Sequence, residues 1–297
     1  MARRPGPLAP ARGKGRTVLV NIHEPGPLEG RLDQWPVLAA SAALEVRLAE
    51  TEAEIEAAQR LRYHVFYEEM SAIPSPAMRE NRRDFDKFDA FCDHMLVVDR
   101  GIVDEDGQPA VVGTYRMVRD VDAARVGGFY SAGEFDIGTM LAGMAPGARL
   151  LELGRSCVLK SYRTKPVTMQ LLWRGVMAFV GRYSIDVMFG CASLQGIDPD
   201  ALALPLSYLH HFHSMVESPR IRARPELYVE MNRLAKDEID VKEALRALPP
   251  LVKGYLRAGC TIGEGAVIDR QFGTTDVLIY LPLAKMDARY VSRFGLS

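Results

Sequence analysis

No stretch of this 297-residue chain supplies the roughly 18 consecutive apolar residues that a membrane-spanning helix needs. Cysteine is scarce. Cys92, Cys157, Cys191 and Cys260 lie far apart with no Cys-x-x-Cys pair, which argues against a zinc ribbon or a disulfide framework and for reduced thiols. Excess charge of one sign is missing too: 37 Lys and Arg against 38 Asp and Glu leave a net charge of −1, too little for nucleic-acid binding through bulk charge. The N-terminal arginines are not followed by the apolar segment of a secretory signal, so a cytoplasmic location is expected. His210 and His213 share a helical face, but no matching carboxylate or Cys set accompanies them, and packing histidines are expected there rather than a metal site.

What remains is the profile of an ordinary folded protein, 48% hydrophobic and 25% charged. Residues 1–17 differ, with Arg3, Arg4, Arg12, Lys14 and Arg16, three prolines and no acid. Such a segment cannot bury a core. Residues 1–43 are therefore read as a flexible basic arm able to touch anionic lipid, and residues 44–297 as one α/β domain. Leu44–Ala49 alternates like a strand. Thr51 and Glu54 make a capping box for a helix running to about Glu69, with Ile55, Ala58, Leu61 or Arg62, and Val65 on one face. Strands are expected at Met95–Val98 and Val111–Val118, joined by the turn Asp104–Gly107, and at Leu150–Val158, Val187–Ala192 and Val277–Leu281. Helices are expected at Pro166–Tyr183, about Pro199–Phe212 and near Val241–Leu248.

The most informative stretch is the apolar strand Leu150-Leu-Glu-Leu-Gly-Arg-Ser-Cys-Val158. It carries one carboxylate, Glu152, and one guanidinium, Arg155. Unpaired charge among Leu, Val and Cys is costly, so these two either pair with each other or serve an acid–base site at a strand end. Three other pieces stand out: Arg62-Tyr-His-Val-Phe66, the acids Asp84, Asp86 and Asp89, and Gly113-Thr-Tyr-Arg116. Together and in this order they resemble the acyl-homoserine-lactone synthases, with Arg62, Phe66, Asp86, Asp89, Arg116, Glu152 and Arg155 at the family's signature positions; the resemblance implies substrate binding by Arg62, Phe66, Asp86, Asp89 and Arg116 and catalysis by Glu152 and Arg155. From about residue 44 to 295 the chain more closely resembles the ornithine lipid N-acyltransferases and their hemolysin-like relatives. The carrying residues are Leu151–Val158, Tyr162-Arg163, Leu172-Trp-Arg-Gly175, Phe189-Gly-Cys-Ala-Ser193, Leu248–Arg257 and Asp269-Arg-Gln-Phe272.

That resemblance implies a GNAT-like α/β fold: a central mixed, twisted sheet flanked by helices, with a C-terminal elaboration. It also implies transfer of a 3-hydroxyacyl chain from acyl carrier protein to the α-amine of L-ornithine, with no resident cofactor and peripheral attachment to an anionic membrane. The alternatives are a homoserine-lactone synthase taking S-adenosylmethionine as the amine, and a non-catalytic, hemolysin-like membrane-binding protein. One departure bears on the donor. The family's glycine-rich pyrophosphate loop is replaced by Arg163-Thr-Lys-Pro-Val-Thr-Met169, and without glycine the backbone cannot wrap a diphosphate closely. The single phosphodiester of a phosphopantetheine arm could instead meet Arg163, Lys165 and Thr168 at a helix N-terminus. Glu152 is the expected general base, directly or through a water, with Asp86 and Asp89 as rivals for that role. Asp86 and Asp89 also suit an ammonium, and Arg116 or Arg155 a carboxylate. Backbone amides near Ser156, Cys157 and Val158, where strands should splay, would face the thioester oxygen.

Overall fold

The computed structural model of the chain describes residues 37–104, 107–215, 220–287 and 289. The first strands follow from apolar alternation. β1 (Val37–Ser41) and β2 (Leu44–Leu48) form an antiparallel hairpin that buries Leu44 and Val46. β1 lies ahead of the expected boundary at residue 44 and pairs with the outer edge of β2. The remainder of the basic arm lies outside the described residues.

Thr51 caps α1 (Glu52–Tyr63). Its hydroxyl accepts from Glu54 N, and the Glu54 carboxylate accepts from Thr51 N, both at 3.3 Å. The last turns widen into a π-helix, His64–Glu69, so the expected helix is present but changes its winding at the residues nearest the site. α2 (Pro76–Asn81) follows, then the long strands β3 (Asp93–Val103) and β4 (Pro109–Arg119). A stretch without a clear period, from which no element was expected, holds α3 (Asp120–Val126), a 3-10 turn at Tyr130–Gly133, β5 (Phe135–Asp136) and α4 (Gly138–Ala142). β6 (Leu150–Val158) leads through α5 (Lys160–Arg163) into α6 (Pro166–Tyr183), whose bounds are those expected, and then β7 (Val187–Gln195). α7 (Ala203–His213), β8 (Arg222–Ala223), β9 (Tyr228–Val229), α8 (Val241–Ala247), α9 (Pro250–Ala258), β10 (Thr261–Ile262), β11 (Ala266–Asp269) and β12 (Thr274–Pro282) follow in order.

The main sheet runs β1-β2-β3-β4-β6-β7-β12-β11-β9, with β10 also on β12, while β5 and β8 pair separately. All neighbours in the main sheet are antiparallel except β6 and β7, which are parallel and joined by the α6 crossover. α6 buries Leu172, Val176 and Phe179. Gly175 lets it lie close, since a Cβ there would fall 2.4 Å from Val46 Cγ1.

Two irregularities position the site. β6 and β7 pair only from Leu150–Val187 to Glu152–Phe189, and beyond Glu152 their ladder ends. Gly190 faces the divergence, where an added Cβ would meet Leu153 O at 2.2 Å. On its other side β6 pairs Gly154 with Arg116 and Cys157 with Thr114, so Arg155 and Ser156 oppose Tyr115 alone. This is a β-bulge, and Arg155 takes φ +51° within it. The strand that carries the sequence's most informative acid and base is bent at that point.

Candidate active site

A cavity of about 410 Å³ opens where β6 and β7 part. Residues 152–158 of β6 form one wall, Tyr115, Arg116 and Val118 of β4 another, and Val65 and Phe66 of the π-helix, with Met70 just after it, a third. Of the expected site residues, Phe66, Arg116, Glu152, Arg155, Ser156, Cys157, Val158 and Arg163 line it. Because β6 has no ladder partner on its β7 side after Glu152, alternate backbone amides there face the cavity rather than a strand.

Glu152 is 3% exposed and is not paired with Arg155. Its carboxylate instead accepts from Tyr130 N at 2.8 Å and Ser131 N at 2.6 Å. Burial raises its pKa above the usual carboxylate range, while the Ser131 and Tyr130 donors oppose that by favouring the charged form. A carboxyl poised in this way can take up a proton more readily than a surface acid.

The arginines and aspartates form one network. Arg62, fully buried, donates from Nε to Asp84 Oδ2 and from Nη2 to Asp89 Oδ1, each at 2.7 Å, and from Nη2 to Asp84 O at 2.6 Å. Arg116 Nη1 donates to Asp86 Oδ1 at 2.7 Å, and Arg155 Nη2 lies 3.4 Å from Asp86 Oδ2. Burial works against charge on Asp86, yet Arg116 and Arg155 hold its carboxyl below the usual range. Arg155 also lies over the rings of Phe272 at 4.5 Å and Tyr130 at 5.0 Å. This arrangement corrects the roles expected for three residues. Arg62 and Asp89 do not line the cavity, and Asp86 and Asp89 are already engaged by arginines rather than open to an ammonium. Their work is to fix the two guanidiniums that do face the cavity.

On the donor side, Arg163 Nε donates to Val158 O at 2.8 Å, and its guanidinium pairs with Glu69 at the cavity rim. Lys165 is exposed and sits 3.9 Å from the centre of the Tyr162 ring, outside the cavity lining. Thr168 is fully buried with its hydroxyl unpartnered, so it does not reach an anion at the helix start as expected. The Cys157 thiol is pushed up to about 12 by burial, which suits a packing residue rather than a nucleophile. A separate apolar pocket of about 10 Å³ shares Tyr115, Leu153 and Ser156 with the main cavity and is closed by Trp173, Val176 and Tyr255. There the hydroxyls of Tyr115 and Tyr255 bond to each other.

Several residues of the site were not anticipated. Tyr130 and Ser131 lie in the stretch without a period, and their bonds to Glu152 come from backbone amides, which no side-chain pattern marks. Asp276 carried the same signal as Glu152, a lone acid in an apolar strand. It lines the cavity with Asp269, and Glu134 stands beside them, with one oxygen from each carboxyl within 4.8 Å of the others. Burial raises Asp276 to about 6, and burial with the charge of Asp276 raises Glu134 to about 7. Asp89, Cys92 and His94 form a second group with metal-ligand atoms, but it is closed off in the core. Its thiol is pushed up by burial, and burial with the Arg62 charge holds His94 neutral, down to about 4.

Residues 61–174 match the model of the acetyltransferase (GNAT) domain family. The chain is 51% identical over 259 residues to an L-ornithine N(alpha)-acyltransferase of Rhizobium meliloti, covering 87% of this chain and 86% of that one. It is 49% identical to the protein of the same name from Brucella abortus, covering 87% of this chain and 91% of the other. Among solved structures, the N-acyl amino acid synthase FeeM from uncultured soil microbes aligns with a TM-score of 0.47 at 12% identity, over 85% of this chain and 96% of that one.

Proposed function

The chain belongs to the L-ornithine N(alpha)-acyltransferase family, and we propose that it moves a 3-hydroxyacyl group from acyl carrier protein to the α-amine of L-ornithine, yielding an acyl-ornithine lipid precursor. Family membership sets aside the homoserine-lactone and purely lytic alternatives. The observation that carries the chemistry is that Glu152 and the β6 edge that leaves its β7 ladder line one cavity together.

The steps follow from that geometry. A thioester is already reactive toward amines, so the protein must orient the reactants, take a proton and stabilise an oxyanion. Glu152 accepts the proton from the α-ammonium, directly or through one water. The free amine attacks the thioester carbonyl lying against the bulge at Arg155 and Ser156. Cavity-facing amides in the Ser156–Val158 stretch hold the oxygen as it gains charge, and collapse expels the pantetheine thiol. Arg116 and Arg155, set by Asp86, receive the acceptor's carboxylate. The acyl chain lies in the main cavity, along its apolar lining at Val65, Phe66, Met169 and Leu251.

Carrier protein rather than free coenzyme A fits the glycine-poor loop after β6, where Arg163 stands at the rim and Lys165 is exposed beside it. Among the described residues no helix is long and apolar enough to cross a membrane. The lipid product gives the protein reason to work at a bilayer surface, peripherally and from the cytoplasmic side, with the basic arm as one contact.

Purified protein supplied with 3-hydroxyacyl carrier protein and L-ornithine should release thiol and form N-acylornithine in equal amounts, read by mass spectrometry. Arg163→Glu should raise KM for the carrier protein, and added salt should do the same. Thiol release without an amide product would overturn the acyl-transfer reading. Equal efficiency with acyl-CoA would overturn the choice of donor.

A further inference from the structure

L-Ornithine carries three charges: a carboxylate and two ammonium groups separated by its carbon chain. The proposed mechanism places the α-ammonium at Glu152 and the carboxylate at Arg116 and Arg155. It leaves the second ammonium without a partner. Asp84, Asp86 and Asp89 cannot serve, because Arg62, Arg116 and Arg155 already occupy them.

One acidic group near the cavity remains uncompensated. Asp269 and Asp276 line the cavity wall opposite β4, and Glu134 completes a trio with carboxyl oxygens within 4.8 Å of one another. Among the described residues no ion pair is found for any of the three. Their hydrogen bonds come from neutral donors: Thr274 Oγ1 to Asp276 at 2.9 Å, the amides of Gln271 and Phe272 to Asp269 at 2.8 and 3.0 Å, and the Cys191 thiol to Glu134 at 3.3 Å. The trio is close to Glu152 by a short chain of contacts. Ser131 donates its amide to Glu152, and Cys191 lies 3.4 Å from Ser131 Oγ and 3.3 Å from Glu134 Oε2.

A second observation, independent of these carboxylates, points to a ligand in the same space. Arg155 lines the cavity, and its side chain is only 12% exposed; its buried Nε lies 3.6 Å from Asp84 Oδ2, beyond hydrogen-bond reach, and makes no hydrogen bond. Its positive charge is felt by both Glu134 and Asp276. The cavity therefore offers, together with the expected base, a guanidinium whose Nε makes no hydrogen bond and a carboxyl trio without an ion pair. That is the charge pattern of a diamino acid.

We infer that Glu134, Asp269 and Asp276 bind the side-chain ammonium of the acceptor and give the enzyme its preference for a diamino acid over a neutral one; this rests on the acyl transfer proposed above. Like charges crowded in a poorly hydrated wall repel, and an ammonium placed among them removes that repulsion while gaining charge-assisted hydrogen bonds. An acceptor with an apolar side chain would leave the trio uncompensated. The raised carboxyls of Glu134, at about 7, and Asp276, at about 6, add a pH signature, since protonation empties the pocket of charge.

The test compares L-ornithine with L-norvaline, which keeps the carbon chain and lacks the second amine. Asp276→Asn should raise KM for ornithine at least about tenfold while leaving kcat/KM for norvaline within about twofold. Glu134→Gln should act in the same direction and guards against one variant failing to fold, with thermal melting as the check. In the wild type, KM for ornithine should rise as pH falls from about 7.5 to about 5.5, relative to norvaline. Equal losses on both acceptors, or no loss on ornithine, would overturn the subsite and leave the acyl-transfer reading standing. Loss of turnover with both acceptors on chelation, restored by a divalent cation, would make the trio a metal site and also overturn it. Wild-type protein that acylates neither acceptor would overturn both inferences.

Discussion

Glu152 Oε1 accepts the Ser131 amide at 2.6 Å, and that bond joins the acid inside β6 to a turn whose sequence carries no sign of its role. With Tyr130 N on the other oxygen, the carboxylate both faces the cavity and anchors the 129–134 segment. Glu152→Gln places an amide NH₂ against one of these donors. We expect a loss of about 1–3 kcal/mol in stability from the unpaired donor. We also expect a fall in kcat of about 10²–10⁴ from the missing base. Urea titration and kcat across a pH series separate the two effects. Near wild-type kcat at every pH would remove Glu152 as base and leave it an anchor.

Arg62 and Asp89 meet at 2.7 Å with both side chains almost wholly buried, and Arg62 also holds Asp84. Removing one member of a buried pair leaves the others charged and unpaired, a loss of about 3–5 kcal/mol. Arg62→Met should therefore lower stability by that order in urea titration. The folded fraction should keep kcat within about tenfold, because Arg62 does not line the cavity. A large kcat loss at unchanged stability would return Arg62 to the substrate site.

Glu134 and Asp276 should make the unliganded protein more stable in mild acid than in base. Burial first, then neighbouring acids, raises Glu134 to about 7, and burial raises Asp276 to about 6. The folded state then holds protons that the unfolded chain, with carboxyl values near ~4, has released. The contribution is fully present below the unfolded values and is lost as pH rises through about 6 and about 7. Melting temperature should carry this downward slope between about pH 4 and pH 7, and Glu134→Gln should flatten it. An unchanged slope in the variant would show that Glu134 titrates normally.

Cys157 lines the cavity beside the proposed thioester, yet burial pushes its thiol up to about 12. Cys157→Ala should keep kcat within about threefold and cost on the order of 1 kcal/mol in stability. Mass spectrometry of the wild type during turnover should find no acyl adduct on Cys157. A covalent adduct, or loss of turnover in the variant, would restore a two-step route through the thiol.

Periodicity was enough to define the frame. The 3.6-residue apolar stripe and Pro166 gave α6 its bounds, the Thr51–Glu54 capping box started α1, and the apolar residues around Glu152 and Arg155 marked β6 as a largely buried strand. These signals are local, so they are legible without knowing what the segment packs against. The same holds for Glu152, whose oddity is its own neighbourhood in sequence. The assignment of charges to partners was not local. Whether Asp86 and Asp89 meet a substrate or an arginine depends on Arg62, Arg116 and Arg155, which come from α1, β4 and β6. Likewise, Tyr130 and Ser131 serve through backbone amides that every residue has, and Glu134, Asp269 and Asp276 converge from three separate segments. Sequence thus determined which elements form and which strand is chemically unusual, because hydrophobic period and capping act over a few residues. Tertiary structure alone decided which charges are already neutralised and which still face the cavity, because Coulomb pairing depends on distance in space.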